Sequence, residues 1–346
     1  MKETLTNRQI AFILFGATIG YAVISLPKNI AEKAGTGGWL VILIGIFIII
    51  VFGYIFVYLG NTFCNKTIVE YMPLLTGKFI SYLIIIMIII YEITACSLVT
   101  RLTSETIKLT MLLNTPVWAL ATLLLVVAFY TLTKDLRTLA RISEIYGMII
   151  IITGIAIFIA IFTQGELTNI KPLLEFSDID YLGTLSVIVY SLVGIEILAV
   201  IPMNNKNKKL FKYISCMLLL IGVMYILSFE SCISVMGVET IVHYEEALLA
   251  TIRRIEIIEL QFLKRLDGIF LISWLFGIYL TILIEAYIAI YLISKLVKGK
   301  KKNIILLIVL CLSLIICLTP PNIEITKILL QYAGYLGLFI NTIVPF

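Results

Sequence analysis

A single histidine, His243, in 346 residues leaves no imidazole for proton shuttling or metal binding inside an apolar segment. No H-E-x-x-H pair, glycine-rich phosphate loop with lysine, or nucleophile beside a base is present, so the chain is read as not an enzyme. The six cysteines (Cys64, Cys96, Cys216, Cys232, Cys311, Cys317) lie mostly within apolar runs and lack C-x-x-C spacing, which argues against a zinc site or a disulfide framework. Charge is scarce too, at 14%. Soluble domains carry about a quarter.

What fills the chain instead is apolar surface, 61% of the residues. Runs of about twenty apolar residues, each long enough to span a bilayer, fall at 10–30, 38–60, 79–100, 116–133, 145–163, 182–202, 211–236, 267–293, 304–319 and 326–345. The expected fold is therefore an all-α polytopic membrane protein of ten transmembrane helices, a single membrane domain over 1–346. The first run has no small-residue cleavage site and continues into a second, so it reads as a retained span rather than a signal peptide. No soluble domain or low-complexity tail is expected at either end. The longest connection, 237–266, carries charges at helical spacing around Leu248, Leu249, Ile252, Ile255 and Ile258, and is expected to form amphipathic helices lying along the membrane surface.

Two spans are interrupted. Gly16, Thr18 and Gly20 precede Pro27 in the first, and Ser191 and Gly194 precede Pro202 in the sixth. Glycine is a poor helix interior residue, so unwinding is expected at both places. Pro27 and Pro202 are expected to end their helices on opposite sides of the membrane. That is the pattern of a five-plus-five inverted repeat, one half at about 10–163 and the other at about 182–345. Freed N–H groups at such breaks favour a carboxylate, and freed carbonyls favour an ammonium or a cation. A zwitterion suits that pair. The alternative is that these glycines only permit close helix packing.

Sixteen of the 26 lysines and arginines fall on the side that holds both termini, against four acids, Glu3, Glu70, Asp135 and Glu144. The positive-inside rule puts that side in the cytoplasm. The basic clusters hug helix ends, and so read as topology determinants rather than nucleic-acid contacts.

Four carboxylates remain inside the apolar runs: Glu92, Glu196, Glu230 and Glu285. Each costs at least about 2.5–3.5 kcal/mol near the bilayer centre, so each needs a cavity or a partner. Glu285 follows Thr281 by one turn, with Trp274 and Gly277 before them, and reads as site-lining. Glu196 reads equally as a coupling group or as a pin for the broken helix, while Glu92 and Glu230 read as helix-to-helix contacts or ligands. Tyr91, Ala95 and Val99 form one stripe on the third helix, either a packing face or a binding wall. No cofactor is implied beyond a bound monovalent cation or proton.

Thr6-Asn7-Arg8-Gln9, Gly20 through Ser25-Leu26-Pro27, Ala34–Trp39, Asn114-Thr115-Pro116, Lys171-Pro172-Leu173-Leu174, Gly194-Ile195-Glu196 and Arg265-Leu266-Asp267 together resemble the B subunits of bacterial spore germinant receptors. That GerB-type family is similar to the amino acid, polyamine and organocation transporters, whose LeuT-like fold has the same five-plus-five repeat. The resemblance implies a multi-pass subunit of the spore inner membrane that senses a nutrient, commonly an amino acid, beside an A-type subunit and a lipoprotein C-type subunit. It places the pocket on Gly20, Tyr91, Ala95, Val99, Val193, Thr281 and Glu285. Carboxylates at Glu92 and Glu285 depart from the family pattern, and favour a ligand with an extra amine or a site that takes a cation. The other reading is a proton- or sodium-coupled amino acid transporter, with Glu285 or Glu196 as its coupling group. The chain's end after the tenth helix, where related transporters often have twelve, leans towards the receptor.

Overall fold

The computed structural model describes residues 5–20, 22–173, 183–185, 187–188, 194–204, 207–255, 266–297 and 302–343. Among them the regular structure is helical throughout. In chain order the helices are α1 (Asn7–Thr18), α2 (Ala22–Ala34), α3 (Gly38–Thr62), α4 (Ile68–Leu75), α5 (Lys78–Thr110), α6 (Val117–Leu132), α7 (Leu136–Phe162), α8 (Ile197–Val200), α9 (Leu210–Met236), α10 (Val238–Ile241), α11 (Ala247–Arg254), α12 (Leu266–Leu296), α13 (Lys302–Leu318) and α14 (Ile323–Ile343). Six helical stretches among the described residues are long and apolar enough to cross a membrane, and α6 and α13 are shorter apolar helices. Of the two interrupted spans, the first falls on α1 and α2, the latter running on into α3, and the sixth is described at 183–185, 187–188 and from Gly194 onward.

The first interruption falls at Ile19 and Gly20, one turn later than Gly16. Gly16 and Thr18 therefore sit inside α1. Gly16 packs on α12, where an added Cβ would lie 2.9 Å from the Leu280 Cβ. Thr18 turns its hydroxyl back onto the Leu14 carbonyl at 3.0 Å. Ending a helix in hydrocarbon leaves carbonyls that water cannot reach, so the protein must satisfy them. Two side chains from other helices do so. The Thr281 hydroxyl of α12 donates to the Gly16 carbonyl at 2.9 Å, and the fully buried Tyr225 of α9 donates to the Thr18 carbonyl at 3.0 Å.

Pro27 does not end its helix, as its place in the sequence suggests, but lies within α2. Its missing N–H would have met the Val23 carbonyl, so α2 forgoes one hydrogen bond near its start and continues to Ala34. Pro202 does follow a helix end, since α8 stops at Val200.

The connection after α9 also differs from the expected surface helices. Leu248, Leu249 and Ile252 of α11 are buried in the protein, against α2, α9 and α12. The amphipathic face that the spacing reveals is turned onto the bundle rather than onto lipid. Ile255 is buried as well, and Ile258 lies outside the described residues. His243 is exposed in the turn before α11.

Helix α5 is the central pillar, packing on α12, α14, α13 and α6. Its buried hydroxyls, Ser97, Thr100, Thr103 and Ser104, each bond the carbonyl one turn back, so a polar stripe is tolerated at no cost in unpaired groups. At one end of the bundle Lys295 of α12 reaches Glu70 of α4 at 2.9 Å, and that pairing draws the Glu70 carboxyl below its usual value against the opposing pull of burial.

Candidate functional site

A cavity of about 340 Å³ opens between α1, α2, α5, α12 and α14. Six residues singled out in the sequence line it: Gly20, Tyr91, Ala95, Val99, Thr281 and Glu285. The four-residue spacing of Tyr91, Ala95 and Val99 thus makes a wall of α5, and Thr281 and Glu285 make the facing wall of α12. Thr18 lines it as well. At Gly20 the space is shaped by a missing side chain, because an added Cβ would stand 2.9 Å from the Thr281 Oγ1. Val193 and Ser191 lie outside the described residues.

Gly16, Glu92, Gly194, Glu196 and Glu230 are not among the residues that line this space. Gly194 touches α1, its φ of +131° holding it so close that an added Cβ would lie 2.9 Å from the Ala17 backbone. The sixth-span break therefore packs directly on the last turn of α1. Glu196 is a pin: its Oε2 accepts from the Gly194 N–H at 3.0 Å and from Asn341 Nδ2 of α14 at 2.9 Å. Glu230, on α9, is not among the cavity-lining residues, and neither of its oxygens has a hydrogen-bond donor among the described residues. Trp274 and Gly277 line a separate space of about 30 Å³ on the other side of the first break.

Sequence reasoning missed Asn341 and Tyr225. Asn341 had a signal, being an amide in an otherwise apolar run, which is costly unless paired. Tyr225 had none, since tyrosine is common in such helices.

The mouth of the cavity is charged. Glu32 and Lys33 of α2, Glu245 before α11, and Lys327 and Gln331 of α14 line it. Glu245 receives Lys28 of α2 and Lys327 together, so one carboxylate ties α2, the α10–α11 segment and α14. Hydrogen bonds from Lys28, then Lys327, draw the Glu245 carboxyl below its ordinary value of 4.5. A lowered value means the ion pairs stabilise the fold fully above pH 4.5 and lose that contribution as the pH falls through the folded value. Exposed pairs contribute only about 0–1 kcal/mol each. Glu245→Gln should accordingly lower the melting temperature slightly at pH 7, with the difference from wild type closing below pH 4.5; thermal unfolding across pH checks this.

The match to known proteins agrees with this geometry. The family model described as spore germination protein matches residues 4–325. The chain belongs to the spore germination protein family. Spore germination protein YndE of Bacillus subtilis (strain 168) is 25% identical over 99% of this chain and 94% of its own length. Among solved structures, a Na⁺-coupled sialic acid symporter in a substrate-bound outward-open state superposes with a TM-score of 0.71 and 11% identity, covering 97% of this chain and 77% of the symporter. MhsT in complex with L-phenylalanine gives a TM-score of 0.69 and 12% identity over 97% of this chain and 87% of MhsT. The spore germination family member thus has the LeuT-type fold, with interruptions at Gly20 and Gly194 where its glycines lead one to expect them.

Proposed function

We propose that this chain is the nutrient-sensing subunit of a spore germinant receptor and binds an amino acid in the cavity beside the first helix break. The observation that carries the reading is the cavity of about 340 Å³ set at a paired helix break in a spore germination protein. Ligand pockets run from about 300 to 1,000 Å³, so this one is sized for a single small molecule. The ligand's carboxylate meets N–H groups at the start of α2 near Gly20. Its amine lies towards the sixth-helix break and Glu285. Binding shifts the balance between two arrangements of α1–α2, α5 and α12, by as much as the ligand's affinities for the two differ. A-type and C-type lipoprotein subunits read that shift. In this reading both termini are cytoplasmic, the cavity opens to the outer face, and the protein resides in the spore inner membrane.

A secondary transporter is the competing reading, favoured by the likeness to a Na⁺-coupled symporter and by Glu285 in the cavity wall. Proteoliposomes holding this chain alone separate the two. Neutral and basic radiolabelled amino acids are offered with and without a proton or Na⁺ gradient. Saturable binding without accumulation, lost in Thr281→Leu, is the expected result. Concentrative uptake overturns it in favour of the transporter.

A further inference from the structure

Among the described residues Glu92 of α5 is the most enclosed carboxyl: it has no solvent exposure, and neither oxygen has a hydrogen-bond donor. Its close neighbour is Glu196, itself 4% exposed, at the sixth-helix break. The two acids are bonded unequally. Glu196 already accepts two N–H donors on one oxygen, from Gly194 and Asn341, which is the bonding of a carboxylate. Glu92 accepts none.

Two carboxyl groups in contact present only lone pairs to each other, and inside a low-dielectric bundle they repel unless a proton lies between them. None of the described ion pairs involves Glu92, Glu196 or Glu285. Among the described residues the other ionisable groups facing Glu92 are Tyr91 and Cys96 of its own helix and Glu285 of α12, none of them a cation. A hydrogen bond from an un-ionised Glu92 to Glu196 satisfies one acid and removes the repulsion in a single step.

We propose that Glu92 and Glu196 form a proton-binding site, in which one proton carried on Glu92 and shared with Glu196 joins the middle of α5 to the break in the sixth helix. The site lies behind the cavity wall rather than in it. Tyr91, the residue before Glu92, lines the cavity, and Gly194, two before Glu196, rests on α1. The proton therefore stands between the wall and the two breaks. Its loss would leave two carboxylates pushing α5 away from the sixth helix.

The test is infrared spectroscopy of the full chain in lipid nanodiscs, in H₂O and D₂O, reading the C=O stretch of un-ionised carboxyl groups. The expected result is such a band in the wild type, with one component lost in Glu92→Gln and again in Glu196→Gln. In each variant an amide N–H replaces the shared proton, so helical content is retained. No un-ionised carboxyl band in the wild type overturns the proposal without any variant. A band unchanged in both variants overturns it equally. So does a wild-type melting temperature that rises with Na⁺ or K⁺ at constant ionic strength and loses that response in Glu92→Gln, which would make the occupant an alkali cation.

Discussion

Gly194→Val leaves little folded protein. The position has a φ of +131°, which side chains with a Cβ rarely adopt, and the added Cβ would meet the Ala17 carbonyl carbon and oxygen at 2.9 Å. Backbone strain of this kind costs about 1–3 kcal/mol. Overpacking adds about 1–3 kcal/mol more, because a backbone neighbour cannot rotate aside as a side chain can. Together these approach the whole stability of many domains, about 5–15 kcal/mol. Monodisperse yield and melting temperature in detergent provide the measurement. Gly277→Ala is the control, since a Cβ there meets nothing nearer than 3.5 Å and melting should be unchanged.

The second large effect concerns binding rather than folding. Gly20→Leu places a branched side chain on the Thr281 hydroxyl, 2.9 Å from where its Cβ would begin, and fills the floor of the cavity. Thr281→Leu also removes the donor to the Gly16 carbonyl, which then lies unpaired. Each change is expected to weaken amino acid binding about ten- to a hundredfold, the equivalent of about 1–3 kcal/mol. Thr281→Ser keeps the hydroxyl and should bind nearly as the wild type. Equilibrium binding of labelled amino acid to the purified variants checks this, with circular dichroism confirming unchanged helix. Full binding in the Gly20→Leu, Thr281→Leu double variant would refute the site.

Much of this was legible in the residues themselves. Glycine marked the two interruptions, because its backbone chemistry acts locally and leaves a mark at a known position. The stripe of Tyr91, Ala95 and Val99, and the polar pair Thr281 and Glu285, also carried over, since helical spacing alone determines which side chains share a face. What escaped was everything settled by contact between distant segments. That Gly16 packs against Leu280 while Gly20 opens a space depends on where α12 crosses α1, and no spacing within α1 contains that. Trp274 and Thr281 are seven residues apart, yet they face different cavities on the two sides of the first break. Pro27 misled for a related reason. Proline reports the hydrogen bond it cannot make, and here α2 forgoes that single bond to the Val23 carbonyl without ending.

The segment after α9 carries charges throughout, and a hydropathy profile would mark it as a tether between spans. Its buried face makes it part of the core instead, pressed between α2 and α12 and tied at Glu245 to both α2 and α14. Loops that merely connect absorb insertions and drift freely in sequence. This one has no such licence. Over 247–255 its tolerance to change is that of a packed helix, so the chain's freedom to vary lies rather in exposed turns such as Thr76–Gly77 between α4 and α5.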